Sequence, residues 1–266
     1  MKNYTIHVDR GEIFSWIIGN NQAGRPDSGG APEQNLLRET EQELLQQIEQ
    51  AAKKVETAAS ARYFYAVFPL KPPAESGQNP DQKTDGISGG NTDRENAQEK
   101  IHLAGTSLTL TGRDICSLLR ECSSCILLAL TLGASLDRLL RRAQISSMAD
   151  AFLLDLCASN AAEELCDAVN RTLEEEFERR GSFLTDRFSP GYGDLSIGLQ
   201  GEICRVLQTE QRIGLTANSS SILIPSKSIT AIIGIADRPQ PKKISGCRNC
   251  RMKETCGFRK AGKTCE

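Results

Sequence analysis

Ile126-Leu127-Leu128-Ala129-Leu130-Thr131-Leu132 is an apolar run of strand length, interrupted by a single threonine. A strand with one face in water alternates apolar and polar residues, so a run without alternation implies burial on both faces. Other elements must therefore pack around it. Gly133 closes the run, and Leu136, Leu139, Leu140 and Ile145 then recur at helical spacing, which predicts a helix with those four residues on its buried side.

The remaining chain supplies the partners. Ile6-His7-Val8-Asp9-Arg10-Gly11-Glu12-Ile13 reads as a short strand running into a helix, with Asp9 as N-cap and Glu12 three positions on. Residues 21–33, rich in Gly, Pro, Asn and Ser, read as a loop. From Asn35 to Ala59, Leu36, Leu37, Leu44, Leu45, Ile48 and Val55 recur among Glu, Gln and Lys as the stripe of an amphipathic helix. Arg62 to Phe68 is aromatic and β-branched enough for a strand, ended by Pro69. Residues 71–100 hold three Pro and four Gly, with only Ala74, Ile87 and Ala97 as aliphatic residues. They cannot bury enough apolar area to offset their ordering entropy, which predicts a disordered insertion.

Leu103 to Leu110 reads as a strand, after which Thr111 caps a helix with Asp114 three residues on. The longest helical pattern runs from Asp150 to Arg180, with Phe152, Leu156, Leu165, Val169, Leu173 and Phe177 as its buried stripe and Gly181 as a C-cap. Cys157 and Cys166 belong to its packed side as small hydrophobes. Leu199 to Arg212 is a further helix, and Ser220–Ile224 and Ile229–Ile235, joined by Pro225-Ser226-Lys227-Ser228, read as an antiparallel hairpin. The implied class is α+β: a mixed, largely antiparallel twisted sheet from the runs near residues 62, 103, 126, 220 and 229, with helices packed around it. Residues 1–70 and 101–237 would form one domain, interrupted by the insertion at 71–100 and followed by a Cys-rich tail at 238–266.

Several function classes recede at this point. A formal charge of -2 makes no whole-chain case for nucleic acid. No run approaches the eighteen apolar residues of a membrane span, and Met1-Lys2-Asn3-Tyr4 lacks the build of a secretory signal. A cytoplasmic location is expected, with the ten cysteines reduced or metal-bound. With only His7 and His102 present, a metal site must rely on sulfur or carboxylate. No Gly-x-Gly-x-x-Gly lies between a strand and a helix, so a Rossmann fingerprint is missing.

Arg187-Phe188-Ser189-Pro190-Gly191-Tyr192-Gly193 is the stretch that carries ligand chemistry. Arg187 offers a planar fork of donors for a carboxylate. Pro190-Gly191 is a turn dipeptide that exposes the backbone of Ser189 and Gly191 to close approach, and Tyr192 adds a ring face and a hydroxyl. The blander reading is a surface turn with an Arg stacked on a Tyr. On the long helix, Glu163, Glu164 and Asp167 are either solvated acids or the source of one carboxylate facing a sulfonium or amine. Arg138, Arg141 and Arg142 are either a solvated basic face or a dock for an acidic partner.

The tail spaces Cys247, Cys250, Cys256 and Cys265 as C-x2-C-x5-C-x8-C. From Arg238 to Glu266 nine Lys or Arg face two Glu, a local charge of +7 that favours thiolates. Four thiolates suit an iron-sulfur cluster or zinc, although a zinc ribbon normally offers two tight C-x-x-C knuckles and one is present. Free thiols or disulfides are the remaining reading.

Arg187 to Leu195, with Gln200 and Arg212-Ile213-Gly214-Leu215-Thr216, resembles the reactivation domain of cobalamin-dependent methionine synthase, in its short, free-standing form. Thr131-Leu132-Gly133, Asp137-Arg138, Arg141-Arg142-Ala143-Gln144 and the run Ile222 to Gly234 extend the resemblance over residues 101–237, with a fainter trace in the first seventy. The resemblance implies that Arg187, Ser189, Gly191 and Tyr192 bind S-adenosylmethionine (SAM), and that a carboxylate on the long helix joins them. It also implies presentation of SAM to oxidised cobalamin on a separate methionine synthase or corrinoid protein, with a flavodoxin or ferredoxin as electron donor. Beyond Asp237 this chain departs from the family, whose later aromatic residues also touch the ligand, so one wall of the expected site would have to come from elsewhere. Two other readings compete: a metal-binding redox or regulatory protein whose active element is the tail, and a docking partner that has kept the fold without SAM. Retention of Arg187, Gly191 and Tyr192 favours the SAM-binding module, a component of methyl transfer acting with a partner.

Overall fold

The computed structural model describes residues 2–21, 31–71 and 99–241. In chain order the elements are β1 (Lys2–Asn3), α1 (Arg10–Asn21), α2 (Ala31–Ala58), β2 (Arg62–Lys71), β3 (Lys100–Leu103), β4 (Thr109–Thr111), α3 (Arg113–Leu119), β5 (Ser124–Thr131), α4 (Ala134–Ser146) and α5 (Met148–Glu178). They continue with β6 (Phe183–Leu184), α6 (Leu199–Leu207), α7 (Thr209–Ile213), β7 (Thr216–Ala217), β8 (Leu223–Ile224) and β9 (Ser228–Ala236). The chain divides into two compact units. The first comprises Met1–Phe64, Ala129–Leu173 and Gln208–Ile229, and the second Tyr65–Leu128, Glu174–Leu207 and Thr230–Glu266.

The first unit is mainly helical. Asp9 caps α1 as its sequence implied, Oδ1 accepting from Glu12 N at 2.9 Å. The segment ahead of it is not a strand, however. Ile6 and Val8 are buried as irregular chain, and the short strand lies earlier, where Lys2 pairs with Tyr63. Val8 spends its N–H on Glu56 Oε1 at 3.0 Å and its carbonyl on Arg10 Nη1 at 2.7 Å, so side chains take the place of a neighbouring strand. Helix α2 starts at Ala31, inside the stretch whose composition reads as loop, and residues 22–30 lie outside the described residues. Ile48, Ala51, Ala52 and Val55 form its buried stripe, while Leu45 is exposed.

Arg10 ties this unit together electrostatically. Its Nε donates to Glu49 Oε2 at 2.6 Å, and Nη1 and Nη2 donate to the two oxygens of Glu56 at 2.7 and 3.0 Å. The Arg10 guanidinium, helped by the N–H of Val8, holds the Glu56 carboxyl below its ordinary value of 4.5. A carboxyl depressed in the folded state contributes stability that is present above its unfolded value and lost as pH falls through the folded one. The melting temperature of the wild type should therefore fall more steeply than that of Glu56→Gln between about pH 5 and pH 3. Parallel melting curves would refute the assignment.

The larger sheet, most of whose residues belong to the second unit, runs β4-β3-β2-β5-β9-β6. β5 sits centrally, and Cys125, Ile126, Leu127 and Leu128 have no solvent exposure, as expected for a run without alternation. The stretch expected as one strand from Leu103 to Leu110 is a hairpin: β3 pairs antiparallel with β4, Ile101 opposite Leu110, and Gly105 makes the turn at φ 76°. Pro69 does not end β2. The position needs only an acceptor, and the Pro69 carbonyl takes Ala104 N at 2.8 Å. Residues 72–98, most of the expected insertion, lie outside the described residues.

Three further expectations fail for tertiary reasons. The segment from Leu199 to Arg212 is two helices, because Gln208 adopts φ 52° and breaks the ladder. The expected hairpin between Ser220–Ile224 and Ile229–Ile235 does not form. β8 pairs instead with β7, Ala217 opposite Leu223, whereas β9 joins the larger sheet, where Phe183 pairs with Ala236. Ile145 and Phe152, placed by periodicity in buried stripes, are exposed. In α5 the buried stripe is carried by Leu165, Val169, Leu173 and Phe177 together with Cys157 and Cys166. After α5, Gly181 takes φ 73° and its N–H closes on Glu178 O at 2.9 Å, the expected stop.

Candidate functional site

The 187–195 stretch lies wholly in the second unit and is held at both ends. At its start Phe188 exchanges both backbone hydrogen bonds with Ile232 of β9, at 2.9 and 2.8 Å, and its ring is buried. Tyr192 N then bonds Ser189 O at 3.1 Å, Leu195 N bonds Tyr192 O at 3.0 Å, and Gly191 N bonds Leu195 O at 2.9 Å. Two successive turns are thereby closed on themselves. They require φ of 96° at Gly191 and 56° at Gly193, which L side chains rarely adopt.

At its far end the stretch is tied to α3. Asp194 accepts from Arg113 N at 2.6 Å and from Asp114 N at 3.2 Å, capping the helix from some eighty residues away. The expected cap, Thr111, takes no part: the cap position is Gly112, with no side-chain bond of its own. A Cβ at Gly112 would come within 2.6 Å of Asp194 Oδ1, and one at Gly193 would overlap the Asp114 carboxylate and approach Phe188 Cζ to 3.0 Å. Asp194→Ala is expected to cost about 1–2 kcal/mol of stability by removing this cap. Thermal unfolding measures it, and an unchanged melting temperature would show that the cap contributes nothing.

The tethered stretch presents a mixed surface. Arg187 is half-buried with its Nη1 atom shielded from solvent, Ser189 is half-buried, and Gly191 and Tyr192 are exposed, Tyr192 at 63 %. Ile197 is exposed as well, although it lies within 3.7 Å of where a Gly191 Cβ would stand. Directly after the loop, α6 carries Gln200, whose Oε1 is buried and accepts no hydrogen bond among the described residues. A guanidinium, an aromatic ring, the Ser189 N–H and Gly191 carbonyl that the turns leave over, and the Gln200 acceptor suit a small ligand with a carboxylate and a polar heterocycle.

Several other residues singled out in the sequence belong to the first unit. Thr131, Asp137, Ser226, Lys227 and Ser228 come together in the first unit as a structural lock. Asp137 accepts from Ser226 N at 2.9 Å and from Ser226 Oγ at 2.7 Å. Lys227 pairs with Asp155 at 2.8 Å, and Ser228 Oγ bonds Thr131 Oγ1 at 2.8 Å. Arg212 stacks 4.3 Å over Phe64. Glu163, Glu164 and Asp167 stand on the part of α5 that belongs to the first unit, where Glu163 lines a cleft of about 210 Å³ with Glu12, Trp16, Leu156 and Asn160. Cys247, Cys250, Cys256 and Cys265 lie outside the described residues. No disulfide joins the described cysteines, and burial pushes the Cys125 thiol up to about 12 and that of Cys157 to about 11, which makes both inert packing groups. Among the described residues no cluster of His, Cys, Asp and Glu could hold a metal, and no helix is long and apolar enough to cross a membrane.

Missed in the sequence were Asp194, Gly112 and Ile197. For the glycine and Asp194 no local signal exists, because the contact that defines them joins segments eighty residues apart.

No family model and no curated protein matches the chain. Among solved structures, the fold is similar to that of the MetH reactivation domain bound to AdoHcy, with a TM-score of 0.51 and 12% sequence identity, over 94% of this chain and 81% of that one. The likeness is one of fold: helices with a largely antiparallel sheet, as the sequence implied.

Proposed function

We propose that this chain is a SAM-binding reactivation module, in which Arg187, Ser189, Gly191 and Tyr192 hold the methionyl part of SAM and present its methyl group to a cobalamin on a separate methionine synthase or corrinoid protein. The observation that carries this reading is the 187–195 stretch itself, fixed to β9 through Phe188 and to α3 through Asp194, with Arg187 half-buried and Tyr192 exposed. The fold it shares with a domain bound to AdoHcy, the demethylated product of SAM, supports the same ligand class. The donor set fits: Arg187 matches a carboxylate at two points, the turns leave the Ser189 N–H and the Gly191 carbonyl without a hydrogen bond among the described residues, Tyr192 supplies a face for a flat ring, and Gln200 Oε1 supplies a buried acceptor.

A sulfonium methyl reacts poorly with cob(II)alamin, which is a weak nucleophile. One electron from a low-potential donor such as a flavodoxin or ferredoxin makes cob(I)alamin. Its cobalt electron pair then forms the carbon–cobalt bond as the carbon–sulfur bond breaks, leaving methylcobalamin and AdoHcy. The cofactor carries this chemistry. The chain contributes binding and orientation, which convert an encounter between two dissolved molecules into a positioned transfer.

The test is a single turnover with methyl-labelled SAM, a purified corrinoid protein held as cob(II)alamin and a chemical reductant. Label should reach cobalamin at least tenfold faster with the chain than without it. Transfer at the same rate in both, with SAM bound by the chain, would overturn the reading while leaving the binding site intact.

A further inference from the structure

We propose that the outer face of α4 and the first turns of α5 dock a separate protein whose contact face carries carboxylates around an apolar centre. This surface lies within the first unit and stands whether or not Arg187 binds SAM.

Helical spacing places Arg138, Arg141 and Ile145 on one side of α4, with Arg142 beside them, while Leu136, Leu140 and Ala143 are buried on the other. Ile145 is 89% exposed, and across the helix junction Met148 is 75% and Phe152 52% exposed. Phe152 meets Trp16, itself 43% exposed, with ring centroids 6.4 Å apart. Single exposed apolar residues are ordinary, but three large ones along one helix junction, with Trp16 of α1 against the third, mark an interaction surface. The charge around them is unspent. Among the described residues Arg138 reaches only Ser135 Oγ, at 2.9 Å, and no carboxylate pairs with Arg141 or Arg142. The acids that could neutralise them are engaged elsewhere: Asp137 is turned inward onto Ser226, and Asp155 pairs with Lys227. Asp150 is the exposed acid left on this stretch, one charge against three.

Sign of charge selects the occupant. A second copy meeting the same face would bring arginines against arginines, as a two-fold interface requires. The chain's own tail carries +7 from Arg238 to Glu266 and is repelled in the same way. Anionic lipid sites read as four to eight basic residues, roughly, and this face has three on a chain of net charge -2. An acidic protein with an apolar centre satisfies both features, with a salt-sensitive encounter steered by the arginines.

The test places the photo-crosslinker p-benzoylphenylalanine at Ile145 of the full chain in its native host and identifies the adduct and its cross-linked segment. The expected adduct is a protein joined through a segment rich in Asp and Glu. R141E/R142E should lower its yield at least tenfold, and exchanging two carboxylates of that segment for Lys should restore it. R141Q/R142Q should lower the yield in the same direction, and R141E/R142E should leave SAM titration and melting temperature unchanged, which separates failure of this proposal from failure of the SAM reading. Self-adducts, lipid adducts, no adduct, or a yield that ignores charge reversal would overturn it.

Discussion

Gly234→Ala is expected to destabilise the protein by about 3 kcal/mol, lowering the melting temperature by roughly 6–12 °C. The constraint is space. A Cβ at Gly234 would stand 2.5 Å from Cys122 Sγ, 2.8 Å from Leu119 Cδ2 and 2.9 Å from Thr185 Cγ2, all closer than real side-chain contacts allow. Leu119 and Thr185 are buried, so a rotamer change in either would displace packed neighbours, and Thr185 Oγ1 also accepts the Gly234 N–H at 2.8 Å. The damage should reach the ligand stretch, because Ile232, two residues earlier on the same strand, anchors Phe188. Adding Cys122→Ala removes the closest of the three atoms and should recover part of the lost stability. Thermal unfolding of the single and double variants decides the matter, and a Gly234→Ala protein that melts like the wild type would contradict the packing described for β9.

What was legible in the sequence was whatever a local pattern dictates. Residues 125–128 are buried on both faces because a run without alternation has no face to offer water. The end of α5 at Gly181 and the cap at Asp9 follow from residue types with one strong local preference each. Where the outcome depends on distant chain, pattern failed. Gln208 breaks a helix although it is neither Gly nor Pro, because Thr209 next to it is buried and its hydroxyl is bonded to Leu215 O at 2.6 Å. The partner of β8 is β7, a strand of two residues that carries no periodicity, and Asn218 makes the turn between them by accepting from Ser220 and Ile222 at 2.9 Å each.

The candidate site divides along the same line. Arg187, Gly191 and Tyr192 stood out through local chemistry, a fork of donors and a Pro-Gly turn. Asp194 did not, since its role exists only once α3 has been brought alongside. Ile145 and Phe152 were assigned inward because helical spacing tells which residues share a face but not what covers that face. Their exposure is the observation on which the docking surface rests.

Arg187→Ala is expected to weaken SAM binding by about 1.5–3 kcal/mol, roughly 10- to 150-fold, because a charge-assisted pair with the methionyl carboxylate is lost from a half-buried position. Arg187→Lys keeps the charge but not the fork, and should fall between the two. Methylthioadenosine, which lacks the amino-acid part, should bind wild type and Arg187→Ala alike, since it offers nothing for the guanidinium to pair. Calorimetric titration of the purified full chain with SAM, set beside Arg187→Ala, therefore tests the central claim most directly. The account predicts saturable one-site binding by the wild type and a loss of at least tenfold in the variant. Equal affinity for SAM in the two proteins, or no binding to either, would contradict it.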